Sequence, residues 1–446
     1  MSNKLYCGIE DEVFFLKDGP LDRMFSRKKR TIPLGEIIQK EQSKIITPKG
    51  GVDSFWNQYG GLVYAESGAT EVTTPLIEQG EGCVLDLVNS SLVQRAVLIQ
   101  MKEDYEINRS CKIRGYSSHY NITIDSDLEN FDLNSIKKHP LEGTVDDFWP
   151  KFTTDIIETM IKTIGPAYFL LFEDDVSGGF MYRVRKQNRF ELCGDFMPDY
   201  AQLSSGLAFL LGSLKGIENI IKNKILENSN EKDILKTYKD LTPKKILAEF
   251  PIVLDDISFR RIKSKKGLGS GINFIKKMKR KGSRAKLKIN GGSKITSREI
   301  LKEYLNQFSK EISYYAGGGE VEFLNLIANN RTSPQIDVPG KIKFYDDICE
   351  TYMLSQVAKT DEQVLADLTP KKGMGKIVSD FVKNKKITFK DVTLSAIEFN
   401  WKNLVFEMYE TNKNKRQKIV VGVDNANEFY QALKKGNVAK ALSFHE

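Results

Sequence analysis

Apolar and polar positions recur along this chain with two different periods. The opening run Leu5-Tyr6-Cys7-Gly8-Ile9-Glu10-Asp11-Glu12-Val13-Phe14-Phe15 reads as a strand, and so does Gly61-Leu62-Val63-Tyr64-Ala65-Glu66. After a Ser67-Gly68-Ala69 turn, Glu71-Val72-Thr73-Thr74 continues in the same style, and 115–123 is strand-like again. Helical spacing governs 81–104, through Val84, Leu87, Val88, Leu92, Val97 and Leu98. It returns over 146–164, where Phe148, Phe152, Ile156, Ile157 and Met160 share one face, and over 201–224. Further helices are expected over 298–314 and 344–358, with loop-rich or polar stretches at 18–50 and 226–243. Lys371-Lys372-Gly373-Met374-Gly375 reads as a loop or a phosphate-type turn. The tail holds strand-like runs at 394–409 and 417–423, a polar hairpin at 410–415 and a short helix at 426–435. Strands interleaved irregularly with helices predict an α+β fold with a mixed or antiparallel sheet and flanking helices. The expected division is a large domain, 1–375, and a small C-terminal α+β domain, 376–446.

The composition narrows the class. With 446 residues, 40% hydrophobic and 28% charged, the chain is long enough for two or three domains and is not disordered wholesale. Met1-Ser2-Asn3-Lys4 leads directly into strand-like sequence without a secretory pattern. The apolar stretch Tyr200 to Leu214 is too short to span a bilayer, so no membrane role is expected. Cys7, Cys83, Cys111, Cys193 and Cys349 show no CxxC pairing, which argues against a disulfide scaffold or zinc ribbon and for a reducing, cytoplasmic setting. Three histidines, His119, His139 and His445, exclude a His-rich metal site.

Charge is unevenly placed. The net charge is +8, yet 257–298 alone holds fifteen cations and no acidic residue, so the remainder carries a net −7. This basic insert could dock an acidic protein, a nucleic-acid backbone or a membrane surface, or could be a solvated loop. Phe259 and Phe274 stand alone within it, so no base-stacking ladder is present.

Candidate chemistry lies on the strands. Residues i and i+2 share a strand face, so Glu10 and Glu12 point one way while Ile9, Asp11 and Val13 point the other. Adjacent carboxylates repel, and a cation between them would relieve that; all-oxygen donors select Mg²⁺ or Mn²⁺ over zinc. A merely exposed strand face is the competing explanation. Tyr64 and Glu66 repeat the pattern, Glu71 follows beyond the turn, and Ser117, His119 and Asn121 share a face of the third strand.

Together these segments resemble the Pup ligase and Pup deamidase (depupylase) family, within the wider glutamine synthetase-like carboxylate-amine ligases. Gly8-Ile9-Glu10-Asp11-Glu12 matches the family's opening Gly-Ile-Glu-x-Glu strand. Val63-Tyr64-Ala65-Glu66 leading to Thr70-Glu71 and Thr74-Pro75 is similar to its second segment, and Gly115-Tyr116-Ser117-Ser118-His119-Tyr120-Asn121 to its third. Cys193-Gly194-Asp195-Phe196-Met197 before a long apolar helix looks like a later one, and the tail resembles the family's small C-terminal domain near Trp401. The likeness covers most of the chain; it is specific through about residue 125 and loose beyond about 220.

The resemblance implies a glutamine synthetase-like large domain, ATP and Mg²⁺ as cofactors, and an acidic or tail-bearing protein or peptide as substrate. Glu10, Glu12, Tyr64, Glu71 and His119 would hold the metal, Glu66 would stand where the family has its catalytic aspartate, and Arg183, Arg185 and Trp401 would serve the nucleotide. Arg331, Lys371 and Lys372 are further phosphate-binding candidates. A glutamate-type carboxyl would become an acyl phosphate for attack by a lysine amine. The chain departs from the pattern at Glu66, one methylene longer than aspartate, and at Ala69-Thr70 and Tyr120; the family's metal-binding histidine falls at or near Phe190. Three readings follow: a ligase, a hydrolase on the same scaffold (an isopeptidase, deamidase or ATP phosphatase), or a non-catalytic nucleotide-binding scaffold.

Overall fold

Antiparallel strands and long helices alternate along the chain, so the α+β class read from the pattern holds. The computed structural model describes residues 4–17, 30–37, 54–66, 68–106, 111–125, 145–173, 180–184, 189–227, 241–255, 268–270, 273–337, 362–400 and 402–445. The helix expected over 344–358, residues Arg185 and Trp401, and the first part of the basic insert lie outside the described residues. Among the described residues no helix is long and apolar enough to cross a membrane. The chain forms two compact units, one of 1–7, 79–85 and 117–341, the other of 8–78, 86–116 and 342–446.

In the second unit the opening strand Tyr6–Lys17 pairs antiparallel with Ala69–Thr73, that strand with Leu62–Glu66, and that one with Ser54–Trp56. The face carrying Asp11 is fixed by the helix Cys83–Glu106. Arg95 donates to both Asp11 oxygens, Nε to Oδ2 at 2.7 Å and Nη2 to Oδ1 at 3.0 Å, and Ser91 donates to Oδ2 at 3.1 Å. Arg95 is 0% and Asp11 1% exposed, so the two charges meet away from water. Gly60, at φ +84°, turns the chain between two of these strands; a Cβ there would lie 2.5 Å from the Gly375 carbonyl oxygen.

The tail builds a four-stranded antiparallel sheet, Lys386–Phe389, Val392–Phe399, Asn403–Glu410 and Lys415–Gly422, with the helices Gly373–Asn384 and Ala426–Lys434. Phe381, Phe399, Phe406 and Phe429 share one core with Trp56 and Leu62, and Tyr64 packs against it. Trp56 Nε1 donates to the Phe399 carbonyl at 3.2 Å. The run 394–409, expected as one strand, is two. Asn400 Oδ1 accepts from the backbone N–H of Lys402 at 2.9 Å and of Asn403 at 2.8 Å, and this side-chain turn replaces the ladder. The expected turn at 371–375 also differs: a helix begins at Gly373, Met374 is buried, and Lys371 Nζ bonds the Ala366 carbonyl at 2.6 Å.

In the first unit Leu268–Ser270, Phe180–Val184, Arg189–Asp195 and the 117–123 part of Cys111–Thr123 pair antiparallel in that order. Its core is the helix Tyr200–Glu227 with Val145–Thr163 and Gly165–Phe172, the last of which is buried at every residue. A Cβ on Gly212 would meet the Ile312 Cα at 2.4 Å, which is how closely the Ser309–Tyr315 helix approaches. The helix expected over 298–314 is broken at Phe308 into Ser297–Gln307 and Ser309–Tyr315, because Phe308 leaves helical geometry and buries its ring beside Gly216.

The described part of the basic insert is folded. Helix Asn273–Lys281 buries Phe274, Ile275 and Met278, with Phe274 edge-on to Phe169 at 6.4 Å, and exposes Lys276, Lys279, Arg280 and Lys281. The strands Lys286–Lys288 and Lys294–Thr296 expose Lys286, Lys288 and Lys294 and bury Leu287. Arg298 is no surface cation: it pairs with Asp337 at 3.0 Å and donates to Ser283 Oγ at 3.0 Å and to the Ile327 carbonyl.

Candidate metal and nucleotide site

Strand pairing gathers the acidic residues of the second unit on one sheet face. Glu12 stands directly across from Glu71, Glu71 from Tyr64, Glu10 from Thr73 and Glu66 from Ala69. Directly opposed residues share a face, so Glu10, Glu12, Tyr64, Glu66 and Glu71 lie on one side and Asp11 on the other. Glu71 is 1% and Glu12 9% exposed; Glu10 and Tyr64 are half-buried, and Glu66, at the strand end before the Gly68 turn, is exposed.

The electrostatics follow from this crowding. Burial first, then the charges of Glu12, Glu10 and Glu66, push the Glu71 carboxyl up to about 9, against the opposing effect of the Tyr64 hydroxyl that bonds it. Burial, followed by the charges of Glu10 and Glu71, pushes the Tyr64 phenol far above its ordinary range, so it stays a donor. Glu71 Oε1 is buried without a hydrogen-bond partner. A buried, unpaired carboxylate oxygen facing further carboxylates is the environment a hard divalent cation relieves, and these oxygens fit Mg²⁺.

His119 belongs to the first unit. It stands across from Cys193 on Arg189–Asp195, with Asn121 across from Glu191 and Ser117 across from Asp195, so the expected shared face of Ser117, His119 and Asn121 is buried. His119 Nδ1 is 3.3 Å from Glu191 Oε1, and Arg183 Nη1 donates to the same oxygen at 2.9 Å. Arg183 is therefore engaged with a carboxylate rather than displayed alone. Arg331 is exposed, and Lys371 bonds the chain locally. Phe190 is wholly buried, and the next residue, Glu191, is the one that reaches His119. Glu191 was not singled out from sequence, and Cys193 only as the start of the segment Cys193–Met197, not as a ligand; the alternation of Glu191, Cys193 and Asp195 is the signal that could have joined them.

No protein-family model and no curated protein matches this chain. Among solved structures, the complex between the prokaryotic ubiquitin-like protein Pup and its ligase PafA superposes with a TM-score of 0.48 at 10% identity, covering 98% of this chain and 93% of that one. The Pup ligase PafA in complex with ADP superposes with a TM-score of 0.41 at 11% identity, covering 86% of this chain and 91% of that one.

Proposed function

We propose that the protein is an ATP- and Mg²⁺-dependent carboxylate-amine ligase that joins a glutamate-type carboxyl to an amine of the lysine type. The observation that carries this reading is the Glu71 carboxyl, buried between Glu12 and Tyr64 with one oxygen unsatisfied. The resemblance of the first 125 residues to the Pup ligase and depupylase family supports the choice of chemistry. Glu10, Glu12, Glu71 and Tyr64 would hold the magnesium. When bound, Mg²⁺–ATP supplies the phosphoryl group and neutralises the charge that builds up on it.

This chain's own residues do the rest. Glu12 and Glu71, fixed across two paired strands, set the spacing of the oxygens. Tyr64 keeps its proton and holds Glu71 in place. Glu66 is exposed at the end of its strand, where an incoming amine can reach it, and takes the proton that the amine loses on attack. The partner fitting this chemistry is a protein or peptide with an acidic tail, and the exposed cations of Asn273–Lys281 and the following hairpin suit its recruitment.

The test is to supply Mg²⁺–ATP, a glutamate-ended acidic peptide and a lysine-bearing protein, then follow phosphate release and covalent adducts by mass spectrometry. A ligase gives an isopeptide-linked adduct that Glu71→Gln abolishes. Steady phosphate release without acceptor favours the hydrolase reading. No turnover, with a melting temperature unchanged by Mg²⁺–ATP, overturns both.

A further inference from the structure

The first unit holds a second constellation whose donor chemistry differs from the all-oxygen face. His119, Glu191 and Cys193 are all buried, at 7%, 1% and 3% exposure. One ligand atom from each lies within 4.8 Å of the others. They come from two directly paired strands, His119 opposite Cys193 and Asn121 opposite Glu191, so the backbone ladder fixes their separation. Arg183, opposite Glu191 on the strand Phe180–Val184, bonds Glu191 Oε1.

From this geometry we propose that His119, Glu191 and Cys193 form a binding site for a divalent transition-metal ion of the zinc class. Imidazole and thiolate select zinc-class ions, whereas magnesium takes oxygen alone. Two ligands bound at tetrahedral angles with ordinary zinc distances stand about 3.4 Å apart. The 3.3 Å between His119 Nδ1 and Glu191 Oε1 matches that edge, and closing the set requires contraction of about 1.4 Å at most. A second observation points the same way. Asn121 is 2% exposed, sits on the same face directly across from Glu191, and has neither amide atom hydrogen-bonded. A water on the open fourth position of a three-ligand ion would satisfy such an amide.

Arg183 has a supporting part. Its guanidinium bonds Glu191 Oε1 and fixes the orientation of that carboxyl group, as outer-sphere partners of metal ligands do. Binding requires that Cys193 lose its thiol proton to solvent, so affinity rises with pH. The inference does not rest on the ligase reading, because no residue of the acidic face takes part.

The experiment uses the full chain, stripped with chelator and titrated with Co²⁺. One equivalent binds with a thiolate-to-cobalt charge-transfer band in the near ultraviolet; Zn²⁺ removes the band, and excess Mg²⁺ does not. Cys193→Ser, close to isosteric, eliminates the band, and Glu191→Gln weakens binding about tenfold to hundredfold. Because a buried substitution can disturb folding, Zn²⁺ must also raise the melting temperature of the unsubstituted chain. Absence of the band, its persistence in Cys193→Ser, or its loss to Mg²⁺ overturns the proposal and leaves the cluster as an internally neutralised ion-pair network.

Discussion

At the scale of single residues the sharpest consequence concerns Glu71. Its carboxyl lies at about 9 against an ordinary 4.5, so it is protonated at neutral pH until a cation arrives. Binding Mg²⁺ is therefore expected to release about one proton at pH 7, seen as base uptake at constant pH, and Glu71→Gln should abolish the release. The sign for stability runs the same way. A raised folded value favours the native state at low pH, and that advantage disappears as pH climbs from the ordinary carboxylate range through about 9. Urea midpoints without metal should fall across that window, and saturating Mg²⁺ should flatten the decline. On the opposite face, Asp11→Asn removes the carboxylate charge that the buried Arg95 guanidinium meets with two bonds. A loss of about 3–5 kcal/mol is expected by urea denaturation, and Arg95→Leu added to Asp11→Asn should recover part of it. The two-residue alternation placed Glu10 and Glu12 together and Asp11 apart. Nothing in the sequence named Arg95 as the partner, since 84 residues separate the pair and only the fold brings them into contact.

At the scale of elements, periodicity identified long segments and missed local side-chain chemistry. Helices Cys83–Glu106, Val145–Thr163 and Tyr200–Glu227 were legible because their apolar spacing persists over several turns. The breaks at Asn400 and Phe308 were not, because each depends on one side chain: an amide that bonds two backbone N–H groups, and a ring buried beside a glycine. For the same reason Phe190 drew notice as the place of a family histidine, whereas the strand's alternation turns Glu191 toward His119. The start of Ser297–Gln307 allows a direct test. Thr296 and Glu299 form a reciprocal capping box, in which Thr296 accepts from the Glu299 N–H at 3.3 Å and donates its own N–H to the Glu299 carboxylate at 2.7 Å. Thr296→Ala should cost about 1 kcal/mol by thermal or urea unfolding. The bonds from Thr296 hold the Glu299 carboxyl below its usual range. The carboxylate's share of the cap is thus present at neutral pH and is lost as pH falls through that lowered value, while the bond from the Glu299 N–H to Thr296 persists, so the gap between the substituted and native chains should narrow in acid.

At the scale of the whole molecule, charge is segregated rather than mixed. The net +8 arises because 257–298 carries fifteen cations while the rest is acidic on balance. Composition revealed that segregation but not its form. Beyond the short strand Leu268–Ser270, its described part is a packed helix and hairpin with seven lysines and arginines among their exposed positions, and Arg298 is diverted into an ion pair with Asp337. Ordered cations on a folded surface hold their spacing, whereas the same charges on a loop would not, so the acidic tail of the proposed partner would meet a fixed pattern of positive potential. Recruitment through this surface should weaken continuously with salt, because the screening length contracts from about 10 Å at 0.1 M to about 3 Å at 1 M. Lys279→Glu with Arg280→Glu, both exposed on the helix, should weaken capture of an acidic peptide about tenfold and reduce the salt dependence while leaving the melting temperature unchanged, since neither side chain is buried. Fluorescence anisotropy with a labelled glutamate-rich peptide measures both quantities. Binding that ignores salt, or that survives the double reversal, would mean the peptide docks elsewhere on the molecule.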